Sequence, residues 1–525
     1  MPRFKQMPMH PSQVMLFSQS VEDALPADND VRGFNEVMEH LDYRSIELKC
    51  SERGCPPYPP SVMAKILGYA YSKGLRSSRS IENMLKVDVR FIWLAGGLKP
   101  DHNTIARFRK ENWQEFQDLF KDSVRVCAEA GLVFLNAVAT DGTKIESAAS
   151  KRRVYSQSKL ARQLAAVEKI LQEAEEVDRT EDEEYGVGSG NELPEHLRDA
   201  KARRAKLEEI ANRLRESKKA AIVETDSDAR VMMTTEGKLP AYNLQASVDA
   251  ESQIIVAMEL TQAENDVGLL PEMVEQIESN TGLSPDVSIT DTGYGNESTL
   301  KWLDETKHDA LMPLQKHPQE SARNDLFASR CFLADDERDV LICPAGRELT
   351  FRGESKSGSG TYRRYCANGC QECSFYRQCV PNGRGSRRVN VSVVASLREQ
   401  MCEKLNSPEG RELYALRQQT VEPVFGQIKS NQGFDRFLLW GVEGATAESA
   451  LMCLAHNVMK CAANGVARAY LATVLFALGL QWRILDRLTR FAPMYDSVSR
   501  TITSTAISRW QRFETAWLAP ETARF

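Results

Sequence analysis

Two short apolar runs, each closed by an aspartate, constrain this chain more tightly than any other feature. Ala137-Val138-Ala139-Thr140 ends on Asp141, and Val287-Ser288-Ile289-Thr290 ends on Asp291. Such runs read as short buried strands. An acid at the end of a buried strand lies at the edge of an α/β sheet, where these folds take their ligands. Alone, an Asp in that place is most often a helix cap or a turn residue. A third acid, Glu422, stands in the helical stretch Arg417-Gln418-Gln419-Thr420-Val421-Glu422-Pro423-Val424-Phe425-Gly426-Gln427-Ile428-Lys429. Three carboxylates brought together can hold two Mg²⁺ ions, which prefer oxygen ligands. Two ions roughly 3.5–4 Å apart serve both the attacking and the leaving oxygen of phosphoryl transfer. The carboxylates must stay ionised, and the ions themselves hold their pKa values down. Glu146, Asp226, Asp228, Asp249 and Asp266 also sit near expected strands, as caps or supporting groups, and are not assigned to metal.

Around these acids the chain changes character several times. Its 525 residues leave room for three or four domains at about 150 residues each. With 42% hydrophobic and 27% charged residues, wholesale disorder is excluded. Prolines 2, 8, 11 and 26 break up residues 1–30 into a lightly structured arm. Residues 31–131 read as short helices: one opens at Ser61, one follows Arg76 to Ser80, and one is capped by Asp101 or Asn103. On the last, Ile105, Phe108, Trp113 and Phe116 share a face, and 99–110 holds four bases and one acid. This fits a helix-turn-helix module, or equally a helical bundle with a solvated basic face. Residues 155–220, rich in Ala, Glu, Lys, Arg and Leu, read as two long helices around a break at 185–194, a helical hairpin. Strands follow at 241–248 and 253–260, and strand–helix–strand units of this kind build an α/β sheet. Residues 399–430 return to helix, and the last 95 or so are mainly helical.

Residues 320–390 carry much Cys, Gly, Ser and Arg and no long apolar periodicity, so metal rather than a core is expected to hold them. Six of the 12 cysteines lie from Cys331 to Cys379. Cys370-Gln371-Glu372-Cys373 is a C-x-x-C knuckle, Cys379 follows after five residues, and Cys343 stands upstream beside Pro344. Four thiolates in tetrahedral array make a structural zinc site, and binding the ion supplies folding energy that a Gly-rich segment lacks. Buried free thiols are the competing reading, and a redox C-x-x-C lacks its thioredoxin-like context. Cys50, Cys55, Cys127, Cys402, Cys453 and Cys461 read as core thiols. The seven histidines show no H-E-x-x-H or triad spacing, which disfavours zinc hydrolysis and Ser-His-Asp chemistry.

The formal net charge of −6 argues at first against a nucleic-acid binder. The average hides a segregation. Residues 171–184 hold eight acids and one base, whereas 142–164 hold six bases and one acid and 343–388 nine bases and three acids. One acidic stretch thus offsets basic tracts just after Asp141 and across the cysteine-rich segment. The most apolar run, near 467–480, includes Arg468 and is too short for a bilayer. The first 20 residues lack a signal-peptide core, so the chain is expected in the cytoplasm.

In several ordered segments the chain resembles the DDE transposases of bacterial insertion sequences, of the IS1182 group in the wider IS4/IS5-like assemblage. They are Thr140-Asp141-Gly142-Thr143-Lys144-Ile145-Glu146-Ser147, Tyr242-Asn243-Leu244-Gln245-Ala246-Ser247-Val248-Asp249, Thr290-Asp291-Thr292-Gly293-Tyr294 and Thr420 to Lys429, with the helical 61–112 and the cysteine segment. The resemblance implies a multidomain α+β protein. A helical N-terminal DNA-binding region (1–130) would precede an RNase H-like α/β catalytic core (131–320 and 396–465), with the helical hairpin at 155–220, a zinc-binding insertion at 321–395 and a helical C-terminus (466–525). It implies Asp141 on the first core strand, Asp291 on the fourth and Glu422 on a later helix as catalytic Mg²⁺ or Mn²⁺ ligands. It favours Cys343, Cys370, Cys373 and Cys379 for Zn²⁺, with Cys331 and Cys366 as substitutes. A related signature places Tyr, Arg, Glu and Lys on one helix, resembled here by Tyr414, Arg417, Glu422 and Lys429. Arg417 precedes Glu422 by five residues rather than four, about 500° of helix, which turns it away, and Pro423 can kink the helix and re-aim the pair. Lys429, seven residues on, returns to nearly the same face. Lys144, Arg107, Arg109, Lys429 and Arg417 are the expected DNA contacts. The implied activity is Mg-dependent cleavage at terminal inverted repeats and strand transfer to target DNA, by a homodimer in a synaptic complex, associated with the nucleoid and with no membrane. The alternatives are a catalytically idle element-derived DNA-binding protein, a structural zinc protein, and an RNase H-like nuclease without strand transfer.

Overall fold

The centre of the protein is a six-stranded mixed sheet. The computed structural model describes residues 20–465, apart from 51–55, 186–194, 218, 235, 316–326, 329–330, 336, 358–359 and 381–383. The expected helical region at 466–525 lies outside the described residues, as do Cys55 and most of the expected break at 185–194. Met1–Asn464 forms one compact unit.

In chain order the first strands are β1 (Val138–Glu146), β2 (Val154–Ser156), β3 (Ala221–Val223), β4 (Arg230–Thr234), β5 (Gly237–Asp249), β6 (Ile255–Thr261), β7 (Ser288–Thr290) and β8 (Ala310–Leu311). β5 lies antiparallel to β1 along the whole of β1, from Val138↔Asp249 to Glu146↔Ala241. On the other side of β5, β4 pairs its first part and β6 its second. β7 runs parallel to β1, and β8 parallel to β7. The strand order is therefore β6-β5-β1-β7-β8, with β4 beside the start of β5.

β5 is buried from Leu239 to Val248 on both faces, so helices must cover the sheet on each side. The Leu270–Thr281 helix, opened by Pro271 and closed by Gly282 at φ 76°, packs on β6. The Trp113–Glu129 and Gly441–Ala463 helices also pack on β6 and on each other. Gly441–Ala463 is rich in Ala and buried almost all round. Its Asn457 completes the β6 edge, accepting from Ile255 N and donating to Ile255 O, both at 2.9 Å. The Pro408–Gly426 helix packs on β1, β5 and β7.

The N-terminal part is a set of short helices: Asp30–Met38, Pro60–Ser72, Ser78–Val87, Val89–Leu94 and His102–Glu111. Asp101 caps the last, its carboxylate accepting from Thr104 N at 2.9 Å. That helix stops at Glu111, and Trp113 starts the next one, so the expected face of Ile105, Phe108, Trp113 and Phe116 is split between two helices. Between β1 and β5 the helices Gln157–Tyr185 and Glu195–Ser217 form a hairpin. Leu160, Val167, Leu171, Leu207, Ile210 and Leu214 make its core, and the β2–β3 ribbon its neck.

The cysteine-rich segment is a second sheet, which corrects the expectation of a segment without a core. β9 (Leu333–Asp335), β10 (Val340–Ile342), β11 (Glu348–Ser357), β12 (Gly360–Ala367) and β13 (Arg388–Ser392) form an antiparallel sheet ordered β13-β12-β11-β10-β9. Phe332, Leu341, Leu349, Tyr365 and Val389 supply an apolar cluster. Among the other cysteines, Cys127, Cys453 and Cys461 are buried, Cys50 is partly buried and Cys402 is exposed, so Cys402 is no core thiol. No helix among the described residues is long and apolar enough to cross a membrane.

Candidate active site

The pairing of β1 with β7 ends at Thr140↔Thr290, both fully buried. Asp291 follows the last residue of β7, whereas Asp141 is the fourth residue of β1, which runs on to Glu146 instead of closing on the acid as expected; the two aspartates stand at the same register of neighbouring parallel strands. Asp141 accepts from its neighbour's Gly142 N at 2.8 Å. Asp291 caps the short turn Thr292–Tyr294, accepting from Gly293 N at 2.8 Å. The Asp141 side chain is 16% exposed. Burial pushes its pKa up to about 6. The Arg417 guanidinium opposes that rise, and Asp291 and Asp266 add to it.

Arg417 reaches this site, contrary to the helical-phase argument. Its Nη2 lies 2.8 Å from Asp141 Oδ2, and its Nη1 lies 3.9 Å from Glu422 Oε1. The phase argument locates Cα atoms, whereas the long arginine side chain spans the remaining gap. Glu422 is 56% exposed and is linked to Asp141 through Arg417. Pro423 does not end the helix, which continues to Gly426 and then widens into a π-helical turn, Gln427–Asn431. Lys429 lies in that turn, off the regular spacing expected for it, and its Nζ donates to Lys144 O at 2.9 Å. Burial lowers the Lys429 pKa, with Asp435 opposing. Tyr414, on the same helix, is pushed up by burial; Arg417 opposes this, and Asp291 and Asp141 add to it.

Asp266, in the loop after β6, is the acid that sequence reasoning left unassigned. Its Oδ1 accepts from Asn243 Nδ2 at 2.8 Å and Gln245 Nε2 at 2.7 Å, both on β5, and Lys144 Nζ stands 3.5 Å away. The only signal in the sequence was the pattern shared with Asp141 and Asp291, an acid soon after a strand. Three of the other unassigned acids serve the fold. Asp249 accepts from Phe134 N and Leu135 N, Asp226 from Tyr242 Oη, and Asp228 from Val442 N.

Gly142 shows how closely this corner is packed. A Cβ there would stand 2.2 Å from Gln245 Nε2 and 2.5 Å from Asp266 Oδ1. Both partners are tied, Gln245 also accepting from Tyr294 Oη. Gly142→Ala is expected to cost about 1–3 kcal/mol, an overpacking penalty readable in a denaturant titration. A melt like the wild type would mean that this corner is loose.

The expected DNA contacts divide. Arg107 is exposed on the His102–Glu111 helix, and Lys144 is partly buried near Asp266. Arg109 corrects the expectation: at 4% exposure it donates to Tyr71 Oη and Arg76 O, and its Nη1 lies 3.7 Å from buried Glu448 Oε1. Its charge is neutralised inside the fold and offers nothing to a phosphate.

Cys343, Cys370, Cys373 and Cys379 all line one small cavity under the second sheet, which Cys331 and Cys366 do not line. Cys343 Sγ accepts from Arg347 N at 3.3 Å and Cys370 Sγ from Arg387 N at 3.4 Å. Among the described residues, however, no three Cys, His, Asp or Glu side chains converge closely enough to enclose an ion, in this cavity or beside Asp141.

Two family models match the chain. One described as a transposase DDE domain covers residues 342–462, and one described as a transposase domain (DUF772) covers 19–111. The first spans Arg417, Glu422, Lys429 and the four cavity cysteines, and the second spans the N-terminal helices through Arg107 and Arg109. No curated protein matches the sequence. The matches point to transposase function and to an enzyme that cuts and joins DNA.

Proposed function

We propose that this chain, similar to transposases over both matched segments, is the transposase of an insertion element. It would bind the terminal inverted repeats, cut a phosphodiester at each end, and join the freed 3′ end to target DNA. One observation carries the reading: Asp141 within β1 and Asp291 just past β7 stand at the same register of adjacent parallel strands, and Arg417, from the helix inside the DDE match, sits on Asp141. The order β6-β5-β1-β7-β8 supports an RNase H-like core, with Asp141 on its first strand and Asp291 directly after its fourth.

The donors around this corner are all carboxylate oxygens, which suits Mg²⁺ or Mn²⁺. Asp141, Asp291 and Glu422 would hold the ions. When bound, they supply charge to the attacking and leaving oxygens of phosphoryl transfer. The chain's own part is to position and to neutralise. Asp141 gives up the proton that burial favours, Arg417 moves its charge off Asp141, and Lys144 and Lys429 meet phosphate at the rim. Exposed Arg107 and the basic tract after Asp141 serve duplex binding, with the N-terminal helices as the end-reading region. Cys343, Cys370, Cys373 and Cys379 would be drawn together by a structural Zn²⁺: all four line one cavity, two of the sulfurs accept a backbone N–H, and thiolates are a donor set suited to zinc. The working form is a dimer that pairs two ends in the nucleoid.

The deciding experiment incubates the protein with Mg²⁺, DNA carrying the element ends and a target plasmid. Cleaved ends and strand-joined products are expected, with end binding that weakens steeply as salt rises. Cleavage without joining would leave a nuclease, and binding without cleavage an idle DNA-binding protein. Metal analysis of the purified chain is expected to find about one zinc per chain, lost in Cys370→Ser/Cys373→Ser. Equal zinc in that variant would remove the assignment.

A further inference from the structure

We propose that the second sheet carries a phosphate-contacting face for duplex DNA, built on Arg364 and Arg388, a role that rests on the transposase reading above. The strand register defines this face. Tyr365 pairs with Val389, and both belong to the apolar cluster on one side of the sheet. By alternation the other side takes Tyr362, Arg364 and Cys366 from β12, and Arg388, Asn390 and Ser392 from β13. Arg364 pairs with Asn390 and Cys366 with Arg388. The two arginines are therefore diagonal neighbours on adjacent strands, roughly 7–8 Å apart. Both are exposed.

Elsewhere this sheet ties its arginines to itself. Arg363, on the apolar side, lies 2.7 Å from Asp339. Arg338 holds Glu348 at 2.6 Å and Asp335 at 3.9 Å, and Arg387 donates to Phe327 O at 2.9 Å. Arg364 and Arg388 are the exception: β12 and β13 contain no acid, and among the described residues no carboxylate pairs with either arginine. Like charges on neighbouring strands repel, so the bare pair lowers the sheet's own stability. Its neighbours on this face are Tyr362, Asn390 and Ser392, polar side chains of the types that join arginine in contacting phosphate oxygens.

The anchoring of the sheet selects the anion. Thr361 N donates to Glu297 Oε2 at 2.7 Å, Val393 N donates to Thr361 O at 3.1 Å, and Val394 packs in one cluster with Tyr294. Tyr294 closes the turn that Asp291 caps, so this end of the sheet is fastened beside the candidate active site. At about 3.3 Å per residue, Arg364 stands roughly 10 Å and the Arg388 rung roughly 17 Å along β12 from that anchor. In the proposed reaction the polyanion at the Asp141–Asp291 corner is duplex DNA, whose backbone extends over such distances. The face takes that backbone and senses charge rather than sequence.

The test measures binding of the full-length protein to two fluorescent duplexes of equal length, one carrying the element end and one of unrelated sequence, across a range of salt. Wild type is compared with Arg364→Gln/Arg388→Gln, Arg364→Lys/Arg388→Lys and the single variant Arg388→Gln, after urea melts establish that each is folded. The double Gln variant is expected to bind both duplexes at least about tenfold more weakly at low salt, with a log affinity–log salt slope shallower by about two. Arg388→Gln is expected to lose about one from the slope, and it carries the test if the double variant does not fold. The Lys pair keeps both charges and is expected to keep the slope. Wild-type affinity and slope in the folded Gln variants would overturn the role. So would a loss confined to the element end, which marks base reading, or a changed sedimentation coefficient without DNA, which gives the face to a second copy of the chain. In each of these cases a wild-type preference for the element end leaves the transposase reading intact. Wild-type protein that binds neither duplex would overturn both.

Discussion

Asp141→Asn is expected to lower strand cleavage by at least about 1,000-fold, while inverted-repeat binding stays within a factor of about two. The substitution keeps the size of the side chain and its acceptor for Gly142 N, but it removes the charge that faces Arg417 at 2.8 Å and that, in the proposed mechanism, would hold a cation. A metal-centred site loses several kcal/mol of transition-state stabilisation when a ligand loses its charge, and each 1.36 kcal/mol is about tenfold in rate. Cleavage near the wild-type rate would remove Asp141 from the chemistry. The same residue gives the site a pH signature. Its folded pKa, about 6, stands above the ordinary Asp value because of burial. In the cation-free protein the neutral carboxyl is the favoured form below about pH 6. Its contribution to stability is complete below the unfolded pKa and is lost as the pH rises through about 6. Cation binding needs the ionised form, so Mn²⁺ affinity rises across the same window and binding releases a proton below it. Both trends are expected to flatten in Asp141→Asn.

The largest loss of stability is expected elsewhere. Glu448, 0% exposed on the Gly441–Ala463 helix, accepts from Tyr71 Oη at 2.9 Å and from Leu438 N and Leu439 N, and its Oε1 lies 3.7 Å from Arg109 Nη1. Glu448→Ala leaves Arg109 buried without its counter-charge and orphans two backbone donors. Breaking a buried pair in this way costs about 3–5 kcal/mol, a large part of the ~5–15 kcal/mol that holds a domain together. Urea denaturation reads this directly. Glu448→Gln, which keeps an acceptor, is expected to lose less. A Glu448→Ala protein within about 1 kcal/mol of wild type would show that the N-terminal helices do not depend on this joint.

These two residues mark the boundary of what the sequence discloses. Asp141 and Asp291 were legible because a buried strand announces itself by a local apolar run, and register then follows from the pairing of two such runs. The helical hairpin was legible because a 3.6-residue period survives over twenty or more residues. Arg109 was not. A base on an exposed-looking helix reads as surface, and only Glu448, hundreds of positions later in the chain, makes it an interior residue. Arg417 was misjudged because helical phase fixes where a side chain begins rather than where a flexible guanidinium ends. The second sheet was hidden because strands such as Glu348–Ser357, which alternates charged and small residues from Arg352 on, bury little of either face. Its core is borrowed from seven residues scattered over almost sixty positions. Asp266 escaped because its loop has no period at all, and its meaning comes from the two amides that β5 aims at it.

The hairpin between β1 and β5 has a consequence for how the protein can vary. Its two helices leave and return through the β2–β3 neck, where Val154 pairs with Val223. At about 1.5 Å per residue, the 29-residue Gln157–Tyr185 helix makes an arm roughly 44 Å long. Adding or deleting matched helical turns beyond that neck leaves the β1–β5 register, and with it Asp141, where they are. Reach is thereby uncoupled from the sheet: descendants of this chain are free to lengthen, shorten or recharge the arm without disturbing the corner where Asp141 and Asp291 meet.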